Sequence, residues 1–293
     1  MTNPSSESFS SISSVASQSS IDQKQDWVAI VLIGIALAFL ALVLYIPAIN
    51  VFYQAFHKGL GPFLHNLGEP NFQHAVKMTL GLAAIAVPLN TIFGLCTAWA
   101  LARKRFRGRT LLLSIIDLPF AISPVVAGLM IVLLYGRNGW FGPFLQERSI
   151  QIVFAFPAMM LATAFVSMPF VAREVIPVLE EEGFDQEEAA YTLGANPWQT
   201  FWRVTVPNIR WGLLYGILLT NARAMGEFGA VSVVSGNIAG KTQSLPLFVE
   251  EAYKSYDTEA AYSAAVLLAL LAVVTLVLKE ILERRTGGHL KKT

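Results

Sequence analysis

Long stretches without any charged side chain constrain this sequence more than any other feature. They cover residues 27–56, 78–102, 149–172 and 260–278. A helix that crosses a bilayer needs about 20 mostly apolar residues, because each residue advances it by about 1.5 Å. Only 14% of the residues are charged, whereas a soluble domain carries about 25%. The sequence therefore predicts an all-α, polytopic membrane protein with six transmembrane helices. The six predicted spans are 27–56, 74–102, 111–135, 151–173, 209–235 and 260–280.

The two ends of the chain differ from its apolar middle. Residues 1–26 are rich in serine and glutamine and poor in apolar side chains, so they cannot bury enough surface to fold. We predict a disordered tail there, a six-span membrane domain over 27–284 and a short basic tail over 285–293. The one cysteine, Cys96, excludes an intramolecular disulfide framework.

Basic residues between the spans indicate the orientation. The segment 102–110 carries five basic residues and no acidic one, and the C-terminal segment is also rich in lysine and arginine. Because such residues stay on the cytoplasmic side, we expect both tails and the polar segment 174–208 to be cytoplasmic. The expected location is thus the cytoplasmic (inner) membrane. A basic loop that is simply solvated, or that is attracted to anionic lipid, would look the same.

The polar segment 174–208 predicts two short helices joined by a bend. Asp185 is a good N-cap and Glu188 lies three places on, as in a capping box. The first helix is therefore expected over 186–193. Gly194 can adopt the left-handed conformation that ends it.

The second short helix is expected to begin at Asn196, with Gln199 in the reciprocal capping position, and to stop before Pro207. Its aromatic residues are spaced three and four apart and share one face. They are Trp198, Phe201 and Trp202. Such a face is typical of a partner site, although the same side chains could pack on the protein's own span ends.

Charged residues inside the predicted spans each cost about 2.5–3.5 kcal/mol to insert. Arg223 and Glu227 are four residues apart and can form an ion pair, and Ser232 and Ser235 extend the polar character outward. These residues either line a translocation path, where Arg223 would attract an anion, or hold the fifth span against its neighbours. Asp117 is expected to pair with a basic residue of the loop before it, and its role stays open.

The segment 236–242 resembles a phosphate-binding loop but is one residue too short, because the first glycine would have to replace Ser235. The sequence offers no metal-ligand spacing and no nucleophile–base pair. We therefore do not expect an enzyme, and we expect this chain to have no cofactor or metal of its own. The net charge of +1 gives no indication of nucleic-acid binding.

The polar segment also resembles the EAA loop of ABC importer permeases. That pattern is Glu-Ala-Ala, three residues, glycine, nine residues and an apolar-x-apolar-proline end. The resemblance implies a coupling helix that sits in a groove of a separate ATPase subunit, which binds ATP and Mg²⁺. The residues then expected to couple are Glu188, Ala189, Ala190, Gly194, Trp198, Phe201 and Pro207.

Two further motifs resemble the oxyanion permeases of this class. LPFAISPVVAG over 118–128 resembles their third span, and NARAMGEFGAVSVVSG over 221–236 resembles their fifth. The latter is most similar to W-type permease subunits of sulfate/thiosulfate importers. The resemblance implies the ABC type I importer permease (MetI-like) fold, a T-type permease partner in a heterodimer, an ABC ATPase dimer and an external sulfate-binding protein. The implied cargo is sulfate, or sulfate and thiosulfate.

Two other functions stay open. Molybdate and tungstate permeases share the Ala-Arg-Ala-x-Gly-Glu-Phe-Gly core. An ion-coupled secondary anion carrier could use Arg223 and Glu227 as a relay, but the sequence lacks a convincing internal repeat of the kind such carriers show, and the EAA loop would then be unexplained.

Overall fold

The computed structural model describes residues 27, 29–104 and 106–287. Within these ranges the chain is helical and contains no β-strand, as the sequence predicts. The tail predicted over 1–26 lies outside the described residues, as do residues 288–293 of the C-terminal tail.

The helices are numbered here in chain order. They are α1 (Ala29–Phe56), α2 (Leu60–Gly68), α3 (Pro70–Arg103), α4 (Arg109–Ala121), α5 (Pro124–Tyr135), α6 (Gly142–Glu147), α7 (Phe156–Ser167), α8 (Pro169–Glu182), α9 (Asp185–Thr192), α10 (Pro197–Thr200), α11 (Val206–Met225), α12 (Gly229–Ser235), α13 (Leu245–Lys254) and α14 (Thr258–Gly287).

The chain divides into two compact units, one ending at His57 and the other beginning at Lys58. In the first unit, α1 exposes its side chains along almost its whole length. Ala41–Tyr45 forms a π-helical turn just before Pro47. The wider turn suits proline, which lacks an N–H and would clash with the carbonyl four residues earlier in a regular helix.

Four described helices are long and apolar enough to cross a membrane: α1, α3, the continuous pair α7–α8, and Thr258–Leu278 of α14. Together, α4 and α5 meet the same test, but they are bent by 107° at their junction. The third predicted span is thus a broken helix. Ile122 and Ser123 leave the helical conformation there, because a residue before proline is disfavoured in the α region.

The fifth predicted span, 209–235, does not meet the test. It consists of α11 and α12, which are separated at residues 226–228. Arg210, Arg223 and Glu227 make it less apolar than the other spans. The count of six spans and the cytoplasmic placement of both termini are consistent with this arrangement but stay predictions.

The connections differ from the predicted loops. The helix α8 continues to Glu182, beyond the predicted end of the fourth span at 173, so the polar segment starts as helix. The segments left between predicted spans at 57–73 and 236–259 are not plain loops, because they contain α2 and α13. Each helix has a proline within its first turn, Pro62 and Pro246, where the backbone N–H has no partner inside the helix and its absence costs little.

In the second unit, α3, α8 and α11 pack against one another at very short range. A Cβ atom on Gly94 would lie 2.6 Å from the Cβ of Val171, and one on Gly216 would lie 2.9 Å from the Cα of the same valine. Val171 and Val175 are fully buried in this contact. Small residues between helices are typical of membrane bundles, which rely on close van der Waals packing.

A second packed group joins α5, α7 and α12. Its core is built from small and medium apolar side chains of all three helices, including Ala127, Ala158, Met159, Val231 and Val234. This group holds the bent pair α4–α5 against the broken pair α11–α12. Buried side chains of this group therefore pack next to both helix breaks, the one between α4 and α5 and the one between α11 and α12.

Candidate functional site

The helix α9 is the centre of the candidate coupling site. It begins at Asp185, and its N-cap is Phe184. The prediction that Asp185 is the N-cap, in a capping box with Glu188, is therefore wrong. Instead Asp185, Glu187 and Glu188 occupy the first turn, where negative charge favours the helix macrodipole.

The predicted bend after α9 is present. Gly194 has a φ of +86°, in the left-handed region that glycine adopts without steric cost. Two residues later the Asn196 side chain accepts the Gln199 N–H at 2.8 Å, and the Gln199 side chain accepts the Asn196 N–H at 3.1 Å. The glycine bend and this capping box confirm the local predictions.

The second short helix does not stop before Pro207, so that prediction is wrong. It continues from α10 through a π-helical turn, Phe201–Thr205, into α11, where Pro207 is the second residue. The Val206 N–H bonds to the Phe201 carbonyl, five residues back. The first turn of a helix tolerates proline, and the wider turn before it relieves the clash of the ring. The predicted coupling loop is thus continuous with the long helix α11.

One buried carboxylate fastens α9 to the surrounding helices. The Oε1 atom of Glu187 accepts hydrogen bonds from Arg103 Nε at 3.2 Å, Arg103 Nη2 at 3.0 Å and the Thr205 hydroxyl at 2.7 Å. Arg103 also donates to the Leu179 carbonyl at 2.8 Å, and its guanidinium lies 4.7 Å from the centre of the Phe184 ring. The Arg103 and Glu187 side chains are only 7% and 12% exposed.

The sequence reasoning missed this anchor. It selected Glu188, the next residue, and it used Arg103 only as one of the charges that set the topology. The anchor joins the ends of α3 and α8, the start of α9 and the turn before α11. A further hydrogen bond, from Asn208 to Gln186 at 2.7 Å, ties α11 to α9 a second time.

Large apolar side chains of the same loop are exposed. Leu193 is 88% exposed, Trp198 70% and Trp202 52%. The rings of Trp198, Phe201 and Trp202 lie against one another, with centroids 5.4 to 6.3 Å apart. Glu188, Ala189 and Gly194 are also exposed. Exposed apolar groups concentrated in this way are typical of a protein-binding surface. Leu193 was not among the predicted coupling residues.

The motifs over 118–128 and 221–236 are far apart in the sequence but meet in the structure. A Cβ atom on Gly229 would lie 2.9 Å from the Cβ of Pro124, and one on Gly128 would lie 2.6 Å from the Ala230 carbonyl oxygen. The two broken helix pairs are therefore in contact beside their breaks. Irregular backbone at membrane depth is tolerated where protein buries it or where it lines a cavity.

The predicted ion pair lies at one of these breaks. Nη1 of Arg223 is 2.6 Å from Oε2 of Glu227, and the two side chains are 30% and 1% exposed. The other oxygen of Glu227 accepts the Ala230 N–H at 2.8 Å, in the first turn of α12. Glu227 thus has a structural place at the break, while Arg223 keeps a partly exposed guanidinium.

The two serines beyond the break bind nearby backbone groups. Ser232 donates to the Gly229 carbonyl at 2.8 Å, and the buried Ser235 accepts the Asn237 N–H at 3.1 Å. These bonds stabilise α12 and the turn after it. That the serines line a translocation path stays a prediction.

Asp117 does not pair with the basic loop before it, so that prediction is wrong. Its Oδ1 atom accepts a hydrogen bond from Nε of Arg173, on α8, at 2.7 Å. Arg103 and Arg109 of the basic loop bind acidic residues of α9 and α8 instead, Glu187 and Glu180. Asp117 is two turns into α4 and is therefore too far along the helix to reach the loop.

The comparisons with known proteins agree with this architecture. A model of the binding-protein-dependent transport system inner membrane component matches residues 90–288. The sulfate transport system permease protein CysW of Synechocystis sp. is 69% identical over 258 residues, which are 88% of this chain and 94% of that protein. The sulfate transport system permease protein CysT of Escherichia coli K12 is 39% identical over 261 residues, which are 88% of this chain and 94% of that protein.

Among solved structures, a bacterial ABC transporter involved in the import of the acidic polysaccharide alginate has a chain of similar fold. The TM-score is 0.78 at 18% sequence identity, and the match covers 90% of this chain and 98% of that one. The expected ABC importer permease fold is thereby confirmed. This chain belongs to the family of inner membrane components of binding-protein-dependent transport systems.

Proposed function

We propose that this chain is the permease subunit of an ATP-driven importer that moves sulfate across the inner membrane. The observation that carries the proposal is the coupling loop. Its helix α9 lies beside exposed apolar side chains suited to a partner, and the Arg103–Glu187 pair ties it to three long helices. A loop that only connected two spans would need neither feature.

The motor is a separate chain. An ABC ATPase dimer, which binds ATP and Mg²⁺, docks on α9, Leu193 and the exposed rings of Trp198 and Trp202. When the ATPase changes conformation, α9 moves with it. Because Glu187 is bonded to Arg103 and Thr205, the displacement passes to α3 and α11. ATP shifts the population of outward- and inward-facing states only through contacts that differ between them.

The cargo assignment is supported by the relatives, which are named sulfate transport permeases. It fits the site as well. Arg223 presents a partly exposed guanidinium at the break between α11 and α12, and guanidinium groups match the geometry of oxyanions. A second, T-type permease completes the path, and an external sulfate-binding protein delivers the anion. Thiosulfate, which has a similar size and the same charge, is the second cargo of this proposal.

Two alternatives to a sulfate importer remain, of which one is tested by an uptake experiment and the other is disfavoured by the geometry at Glu227. A molybdate or tungstate importer would use the same coupling loop, so only the cargo differs. An ion-coupled carrier is disfavoured because Glu227, its candidate relay, is bonded to Arg223 and to the Ala230 N–H and is 1% exposed.

The test is the uptake of radiolabelled sulfate by the complete complex in proteoliposomes, with its binding protein present. We expect unlabelled sulfate to compete more effectively than molybdate. If molybdate is the better competitor, the cargo assignment is wrong. If uptake does not depend on the binding protein, the importer assignment is wrong.

A further inference from the structure

A second charged pair lies on an exposed surface between α4 and α8. The hydrogen bond between Asp117 and Arg173 is 2.7 Å long, yet the side chains are 37% and 55% exposed, respectively. The Arg173 guanidinium also lies 5.4 Å from the centre of the Phe120 ring. Both residues fall within stretches that meet the length and composition test for membrane spans.

A second ion pair between the same two helices serves as a reference for how deep this surface lies in the membrane. Arg109 and Glu180 join the same two helices nearer to the coupling loop. Asp117 is eight residues further along α4 than Arg109, and Arg173 is seven residues before Glu180 on α8. At about 1.5 Å per residue, the Asp117–Arg173 pair is about 10–12 Å deeper in the membrane.

Charges at this depth do not face lipid. Each would cost about 2.5–3.5 kcal/mol there, and such residues turn to a bundle interior or to a water-filled cavity. The exposed Arg109–Glu180 pair lies nearer to the polar segment, whereas at the depth of Asp117 and Arg173 a charged pair that only joined two helices would be expected to lie buried between them. The contact between the Phe120 and Phe170 rings, with centroids 5.2 Å apart, already joins α4 to α8 here.

We propose that the surface around Asp117 and Arg173 lines an aqueous translocation path shared with a second permease chain, and that Arg173 is an anion contact in it. The inference rests on the proposed function, which supplies the path and the anion. Arg173 would then be a second arginine that contacts the anion, besides Arg223. Arg223 is 17 residues along α11, about 25 Å from the coupling loop, so Arg173 is the contact nearer to that loop.

The geometry suits a transient anion contact. Asp117 holds Nε of Arg173, and Phe120 supports one face of its guanidinium. Within the described part of the chain, the terminal nitrogens of Arg173 have no hydrogen-bond acceptor, so they can donate to an oxyanion. Asp117 offsets part of the positive charge, which keeps binding weak enough for the ion to leave, as conduction requires.

Thiol accessibility tests whether the surface is aqueous, and it does not depend on the cargo. The native Cys96 on α3 is exposed and lies seven residues before Arg103, at about the same depth. It is the matched control in the native complex. In a Cys96→Ser background, we expect Asp117→Cys to react with membrane-impermeant methanethiosulfonates. The anionic reagent should react about tenfold faster than the cationic one, because Arg173 remains next to the thiol.

A reaction at Asp117→Cys no faster than that of native Cys96 would overturn the aqueous path. Preference for the cationic reagent would overturn the anion contact. These results are separable from the proposed function, which fails if the unmodified complex takes up no sulfate at all.

Neutral variants test the anion contact by transport. Arg173→Gln, alone or together with Asp117→Asn, should lower sulfate uptake by at least about tenfold, because a charge-assisted bond to the anion is lost. Arg173→Lys should restore part of it, and Asp117→Asn alone should reduce uptake less than Arg173→Gln. Chain abundance in the membrane and basal ATP hydrolysis serve as controls for assembly. Wild-type uptake by the doubly neutral variant would refute the contact.

Discussion

Replacing Glu187 by alanine should release α9 from the permease while leaving its exposed side chains in place. Arg103 would lose its carboxylate partner where it is only 7% exposed, and the Thr205 hydroxyl would lose its acceptor. Removing one partner of a buried ion pair costs about 3–5 kcal/mol. Because the Leu179 carbonyl still accepts from Arg103, we expect the lower end, about 3 kcal/mol.

Hydrogen exchange on the purified chain in lipid nanodiscs measures this effect. A loss of about 3 kcal/mol corresponds to about a 100-fold loss of amide protection in Asp185–Thr192. The adjacent Glu188 is the matched control, since it is an exposed acid on the same turn. Glu188→Ala should leave protection nearly unchanged in the isolated chain but should weaken coupling to the ATPase in the complex.

Equal protection in Glu187→Ala and Glu188→Ala would refute the anchor. A further variant separates the anchor from a general loss of folding. Adding Arg103→Met to Glu187→Ala removes the unpaired charge, and replacing both members of a buried pair by apolar groups is often neutral. Protection should then recover in part.

Three other predictions concern the remaining sites. Leu193→Asp should prevent ATPase docking without changing chain abundance, because the leucine is 88% exposed; co-purification of the ATPase at the wild-type level would contradict this. Gly128→Ala should destabilise the chain by about 1–3 kcal/mol, because the new Cβ would lie 2.6 Å from a carbonyl oxygen of α12. The control Gly81→Ala should not destabilise the chain, because its nearest contact would be at 3.7 Å. Equal melting temperatures of the two variants would refute this close packing. Arg223→Ala should lower sulfate uptake and leave Glu227 buried without its cation, and an unchanged rate would make Arg223 purely structural.

Local patterns in the sequence predicted the features that neighbouring residues determine. The left-handed conformation of Gly194 and the capping box of Asn196 and Gln199 depend on adjacent backbone groups, so spacing is sufficient to find them. The Arg223–Glu227 pair is also local, at one helical turn. Hydropathy located the apolar helices for the same reason, although it averages over a window and so concealed the 107° bend between α4 and α5.

Tertiary contacts were beyond such reasoning. Arg103 and Glu187 are 84 residues apart, and Asp117 and Arg173 are 56 apart. Nothing in their spacing indicates that they meet. The end predicted before Pro207 failed for a related reason, because proline usually marks a helix boundary but the π-helical turn ahead of it lets the helix continue.

The uptake of sulfate by proteoliposomes with and without the ATPase and ATP tests the central claim most directly, namely that a separate motor drives this chain through α9. Uptake should require the ATPase, ATP and the binding protein together, and it should stop when any one is omitted. Uptake at the same rate by this chain and a second permease alone, with no nucleotide, would contradict the account.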